Sequence, residues 1–333
     1  MIGNDGGVMV FNYNLQQFVT DPAAAATWAS HDPTGTFIPN ALNVELDIPL
    51  ASLGNPNQGR TDLRIWGVGL PALGQANNLT GYIIEISGGM MPPYDLNSAA
   101  PHGTLLAGNV FQGFGNWEGV NQYLELVISP EGIYPSNIAN INFVWKAGTD
   151  ISSAITAAIS AAYPGYEIYF AIGSYIAQTN ITSSFATLAA FAQNLQNITA
   201  NKIAKTTGIQ TQAQGNAFRF WDDSIIAIPI ALKFQDLIGQ PTWMSAIEIS
   251  FATVMRSDIL PGTQVIFPQG IFSPYALTTP EAALPNAPAQ TSITFLDNFR
   301  VKEVHHFGNF RQADASSWRT QYTAYPVKPP AVA

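Results

Sequence analysis

Four histidines, His31, His102, His305 and His306, are the imidazoles of this chain, and two of them are adjacent. An adjacent pair could hold a metal only if both rings converged. Neighbouring side chains on a strand point to opposite faces, so one of the pair should turn toward a core and the other outward. No H-E-x-x-H occurs and there is no cysteine, which removes the common zinc sets. Glu118 and Glu125 are the residue type that glycoside cleavage uses in pairs, but nothing in their spacing sets them across a cleft. Neither G-x-S-x-G nor a Walker A motif is present. Gly67-Val68-Gly69 and Gly113-Phe114-Gly115 sit beside strands, where glycine serves turns and bulges. The reading is therefore a chain without catalytic, metal-binding or cofactor-binding residues, and not an enzyme.

Seven tryptophans invite a carbohydrate reading, because flat rings stack on sugar faces. Trp66, Trp145 and Trp221 lie in apolar strand-like runs, where a core role is expected. Trp28, in A-A-A-T-W-A-S, is the one expected to be exposed.

The elements that must position these residues are mostly strands. Leu42, Val44, Leu46, Ile48 and Leu50 alternate with Asn43, Glu45, Asp47 and Pro49, the period of a half-buried strand. Leu63 to Val68 reads as another. A third carries Tyr82, Ile83, Ile84 and Ile86 up to a turn at Gly88-Gly89. Asn109 to Phe114 and Tyr123 to Ile128 form a pair joined through Gly115, Asn116 and Gly119, and Pro71 to Asn78 holds one helical turn. Strands at this spacing suggest a compact barrel over residues 1–138.

Residues 139–222 change character and read as an α+β insert. Thr149 or Asp150 caps a helix with Ile151, Ile155, Ile159 and Ala162 on one stripe, stopped by Pro164-Gly165. Tyr166 to Ile172 is a strand, Ser184 to Ile198 a second helix, Phe218 to Trp221 a closing strand, and Asp222-Asp223 a turn. Residues 223–325 return to strands. Ser245 to Thr253 sets Ile247, Ile249 and Phe251 on one face, and Pro261-Gly262 turns the chain. Pro274 to Gln290 reads as an extended loop, and residues 326–333 as an irregular tail.

Composition bounds the class. Apolar content of 47% fits a globular protein, whereas charged content of 11% is far below the usual quarter or so. Net charge is −9 with a pI near 4.7, which argues against gripping nucleic acid by its phosphates. The N-terminal residues lack the basic region and apolar core of a signal peptide, and no apolar run approaches the roughly 18 residues of a membrane span.

Two sets of motifs then fall in order. The first is L-R-I-W-G-V-G-L, L-T-G-Y-I-I-E-I-S-G-G-M, V-F-Q-G-F-G-N-W-E-G and Y-L-E-L-V-I-S-P. The second is F-Q-D-L-I-G-Q-P-T-W, V-M-R, L-P-G-T, V-K-E-V-H-H-F-G-N-F-R and W-R-T-Q-Y-T-A. Their order resembles the two barrels of baseplate hub proteins from bacteriophage tails, the late-control-D type. The resemblance covers about two-thirds of the chain and is weakest before residue 40 and in the insert. It implies a mainly β fold with an α+β insert: two tail-tube-like β-barrel domains plus a smaller α+β domain. It implies a homotrimer that adapts a sixfold tail tube to a threefold central spike in the virion, made in the bacterial host cytoplasm. The partners implied are the tail tube or distal tail ring protein, the central spike protein and the tape measure protein, with DNA passing without specific binding and no membrane insertion. Trp117, Trp243 and Trp318 sit in the matching motifs and become candidate barrel anchors.

Between Ile65 and Trp145 there is no Lys or Arg, while Glu85, Asp95, Glu118 and Glu125 fall there. These four are candidate lumen-lining residues, since an acidic wall would let DNA slide; the bland alternative is a solvated acidic face. Two rival readings stay open. One is a carbohydrate-binding or lytic β-protein of the virion. The other is the hub of a non-contractile tail tip or a bacteriocin-like particle.

Overall fold

The computed structural model describes residues 4–11, 24–32, 36–53, 55, 60–90, 102–130, 140–200, 202, 207–215, 217–225, 227–245, 247–268, 295, 298–309, 311–312, 314 and 317–327. The protein is mainly β with an α+β insert. Asp95, the Pro274 to Gln290 loop and the tail after Val327 lie outside the described residues.

The N-terminal half contributes β1 (Asn4–Phe11), β2 (Ala24–Ala29), β3 (Val44–Ala51), β4 (Thr61–Trp66), β5 (Ile83–Met90), β6 (Gly103–Glu118) and β7 (Asn121–Ser129). The insert holds β8 (Ile141–Trp145), β9 (Glu167–Ala171), β10 (Ile181–Phe185), β11 (Gln210–Gln214) and β12 (Ala217–Trp221). The C-terminal half adds β13 (Ile230–Ala231), β14 (Thr242–Trp243), β15 (Ile249–Val254), β16 (Gln264–Ile266), β17 (Asn298–Asn309) and β18 (Trp318–Val327). Helices are short: α1 (Leu70–Leu73), α2 (Ile151–Ala162) and α3 (Leu188–Thr199).

The two halves share one thirteen-stranded sheet, with main path β14-β15-β18-β17-β3-β4-β7-β6-β5-β1-β2. The joint is β17. Its first residues pair with β16, Arg300 opposite Gln264, and its last with β3, Phe307 opposite Asp47. The exchange of partners coincides with a bulge between Val301 and Glu303 in the pairing with β18. One extra residue re-aims a strand there. The core is likewise continuous. Ile48, Leu63, Ile84 and Leu126 from one half pack in the same cluster as Phe251, Phe299, Val304 and Tyr322 from the other.

Burial along β3 alternates as the sequence pattern predicts, with Val44, Leu46, Ile48 and Leu50 inside. Several local expectations are corrected. Gly88-Gly89 is no turn but part of β5: a Cβ on Gly88 would come within 2.6 Å of Leu105 Cδ1 and 3.2 Å of the Met255 sulfur, so a larger residue there would have to displace both side chains. Gly115 and Asn116 belong to β6, and the hairpin turns at Gly119-Val120, where Gly119 has φ 62°. The chain must be bare at Gly113 and Gly115 because Ala76 and Leu73 carbonyls lie 2.4 Å from where a Cβ would sit. Ile247 is outside β15 and exposed, because the strand begins two residues later. Pro326 and Val327 continue β18 rather than starting an irregular tail. Trp28 is half-buried against the core, not exposed.

The insert has its own core, in which Phe143, Ile155, Phe191 and Phe218 are fully buried. Asp150 caps α2, its carboxylate accepting from the Ser152 amide at 2.9 Å. Thr187 caps α3, so Ser184 lies in β10 and not in the helix. Parallel pairing of β9 with β12 and antiparallel pairing of β11 with β12 make a three-stranded sheet.

Candidate functional site

One face of the large sheet is apolar and inward; the other carries the charge. Opposed residues on an antiparallel ladder share a face. Asn309, Glu45, Arg64, Glu125 and Phe114 therefore form a single row across β17, β3, β4, β7 and β6. Beside it run Arg319, Phe307, Asp47, Asp62 and Val127, across β18, β17, β3, β4 and β7. The outer face thus runs across both halves, with Phe114, Phe307 and Val127 among its charged and polar residues and the insert packed against it at Ala107.

Three of the four candidate carboxylates stand on this surface. Glu118 lies opposite Asn121, two places from Tyr123 and four from Glu125 on the same face. Glu85 faces Ala107, and Asn109, next along that face, opposes Ser129. The strand alternation that could have sent half of them inward leaves all three outside the core.

Their surroundings differ from the cation-free stretch of sequence. Arg64 of β4 reaches Glu125 at 3.3 Å, and Arg60 reaches it at 3.5 Å. Asn116 Nδ2 donates to its second oxygen at 3.2 Å. Burial pulls the Arg64 guanidinium down, and the Glu125 carboxylate more than offsets it, leaving the group above its ordinary value. Tyr123 donates its hydroxyl to Glu118 at 3.2 Å and packs on Trp66 with ring centroids 4.6 Å apart. Burial and that carboxylate push the phenol up. Glu85 accepts from the Thr104 hydroxyl at 2.6 Å. Trp66, expected in the core, belongs to this outer face.

The histidines part as strand geometry requires. His306 is fully buried, its Nδ1 2.9 Å from the Thr320 hydroxyl oxygen. Burial first, and then the charge of His305, push its pKa down to about 3. His305 lies outward, hydrogen-bonded to Asp47 and packed on Phe307. Among the described residues no group of three His, Asp or Glu side chains could hold a metal.

The three candidate anchors separate. Trp318 is 5% exposed and Trp243 is half-buried, stacked on Phe295 with centroids 5.6 Å apart. Trp117 is 63% exposed and is no core anchor: it lies near the hairpin tip, its Nε1 donating to the Gly119 carbonyl.

Sequence reading passed over Asp222-Asp223 as a turn. Asp222 accepts from the Gly173 amide and the Tyr175 hydroxyl, both at 2.8 Å, and from Ser224. Asp223 accepts from the Tyr325 hydroxyl at 2.7 Å and lies 3.3 Å from the buried Arg300. The pair clasps the insert to the C-terminal half. The available signal was two adjacent carboxylates in a chain so poor in charge.

No family model matches this chain, and no curated protein matches it. Solved structures do. A 43 kDa tail protein of prophage MuSo2 from Shewanella oneidensis aligns over 97% of this chain and 98% of its own, with TM-score 0.50 and 8% identity. The tail protein from Neisseria meningitidis MC58 aligns over 97% and 96%, with TM-score 0.49 and 10% identity. A component of the type VI secretion system from E. coli aligns over 87% and 76%, with TM-score 0.47 and 12% identity. At 8% identity the likeness to the prophage tail protein is one of fold, extending over nearly the full length of both chains.

Proposed function

We propose that this chain is a structural protein of a phage tail, the baseplate hub, and not an enzyme. Three copies form a ring, and two similar halves per copy give six units to meet a sixfold tail tube or distal tail ring. The threefold end meets the central spike, and the tape measure protein ends at the same ring. The chain is part of the virion, and DNA passes it without specific binding.

The observation that carries this reading is the continuous sheet. Both halves turn their apolar sides into one core and share one outer face. Among the described residues that face bears, on its strands, seven carboxylates (Glu45, Asp47, Asp62, Glu85, Glu118, Glu125 and Glu303) against three exposed or half-exposed cations (Arg64, Arg319 and Lys302), with Arg300 buried opposite Tyr325. Duplex DNA carries about one negative charge per 1.7 Å, and a basic wall would hold it by counterion release. An acid-rich wall repels it weakly and lets it pass. The fold likeness to the prophage tail protein supports the same reading.

The test is mass in solution and in particles. Native mass spectrometry of the purified chain should give three times 35.8 kDa, about 107 kDa. A chain that stays single at every concentration, and is present in other than three copies per particle, would overturn the proposal.

A further inference from the structure

Among the described residues, two of the exposed apolar patches on the part of the molecule built by the large sheet differ in form. One is the tip of the β6–β7 hairpin, where Trp117 is 63% and Val120 96% exposed. The indole is not loose there, since its Nε1 donates to the Gly119 carbonyl at 2.9 Å. The other lies along the terminal edge of the sheet. The segment from Phe234 to Met244 runs beside β15, with Leu237 opposite Thr253, the Ile238 amide donating to the Ala252 carbonyl, and Thr242 opposite Ser250. Phe234, Met244 and Ile247 are each about two-thirds exposed on it.

The patches differ in charge. Glu118 flanks Trp117, inside the stretch from Ile65 to Trp145 that has no Lys or Arg. Lys233 adjoins Phe234, and Glu248, beside Ile247, is paired with Lys302 at 2.7 Å. They also differ in shape: one is a protruding tip and the other a sheet edge.

We propose that the hairpin tip of one copy seats on the edge of the next that carries Phe234, Met244 and Ile247, so that copies join head to tail. This rests on the ring reading above. A two-fold contact of tip on tip would set Glu118 against Glu118 and leave the edge uncovered. A contact of tip on edge covers both patches at once, pairs Glu118 with Lys233, and closes after three copies if each is turned by a third of a circle. It also removes an exposed apolar sheet edge, which otherwise invites aggregation. A rigid, central tryptophan is the residue type that dominates such contacts.

The chain has no cysteine, so added ones report alone. The full-length variants V120C, M244C and V120C/M244C are treated with a short bis-maleimide. Both positions are exposed, so the fold should tolerate them. The double variant should give covalent dimers and trimers, and an equal mixture of the two single variants should give heterodimers and nothing larger. Each single variant alone should stay uncoupled. In parallel, Trp117→Ser should raise the concentration needed for the trimer on the order of tenfold or more. Three results overturn the inference. V120C coupling to itself means tip on tip. A wild-type trimer whose double variant does not couple means the ring exists through other surfaces, so the hub reading survives and this contact does not. Absence of any trimer in solution and in particles removes both.

Discussion

The indole Nε1 of Trp318 donates to the carbonyl oxygen of Gly89 at 2.8 Å, joining residues 229 positions apart in the chain. Trp318 opens β18 in the C-terminal half, and Gly89 lies in β5 of the N-terminal half. The same ring lies 2.8 Å from where a Cβ on Gly308 would stand, so β17 is bare there to admit it. Trp318→Ala should destabilise the protein by about 3–5 kcal/mol, through lost packing and an orphaned carbonyl. Urea denaturation gives the value. A midpoint equal to wild type would mean that the two halves do not depend on this ring.

Trp117→Ala should behave oppositely. The side chain is mostly exposed and its hydrogen bond closes only a local turn. Stability of the monomeric state should change by no more than about 0.5 kcal/mol, read from the same urea curves at low protein concentration.

Gly115→Ala tests the approach of α1 to the hairpin. The added methyl would stand 2.4 Å from the Leu73 carbonyl oxygen and 2.9 Å from its carbon, and a backbone atom cannot swing away. A loss of about 1–3 kcal/mol is expected from forced separation of α1 and β6. Thermal unfolding of the variant measures it, with Gly69→Ala as the comparison, since φ there is −66° and the nearest atom to a Cβ is the Pro71 Cδ at 3.8 Å.

Acid should weaken the fold through His306. Its folded pKa is about 3, against an ordinary value of 6.5, because burial disfavours the charged ring. At pH 7 the ring is neutral in both states and costs nothing. As pH falls below 6.5 the unfolded chain takes up a proton that the folded one refuses, so stability drops. The loss continues down to about pH 3, with a slope approaching about 1.4 kcal/mol per pH unit. His306→Gln should lower stability overall but flatten its pH dependence between pH 6 and 4. An unchanged slope in that variant would assign the acid sensitivity to other groups.

Charge reversal tests the conduit. Glu85→Lys stands on the polar face, away from the core and from the proposed contact between copies, so folding and particle assembly should be normal. Genome delivery should slow, and more so at low salt, because exposed charges act within a Debye length of about 10 Å at 0.1 M. Delivery measured as potassium efflux or DNA entry from particles shown to contain the variant decides it; normal rates would leave the acid-rich face without a role in DNA passage.

Much of this protein was legible locally. The alternation from Val44 to Leu50 determined a half-buried strand, because its period of two can bury only one face. Asp150 followed by Ile151, Ile155 and Ile159 determined a capped helix with one apolar stripe. The splitting of His305 and His306 followed from the same strand geometry. What lies between distant strands was not legible. Charge along the sequence between Ile65 and Trp145 is wholly acidic, yet the pairing of β4 with β7 sets Arg64 directly opposite Glu125. A sequence gap in cations is not a gap in space, because a strand's neighbours are chosen by register. Trp117 and Trp318 occupy equally suggestive motifs, and only the path of the chain past Gly89 and Gly119 made one a buried joint and the other an exposed tip. The junction itself, β3 against β17, joins residues more than 250 positions apart. Tertiary structure alone decided it, since the bulge beside Lys302 frees β17 from β16 and offers its edge to β3.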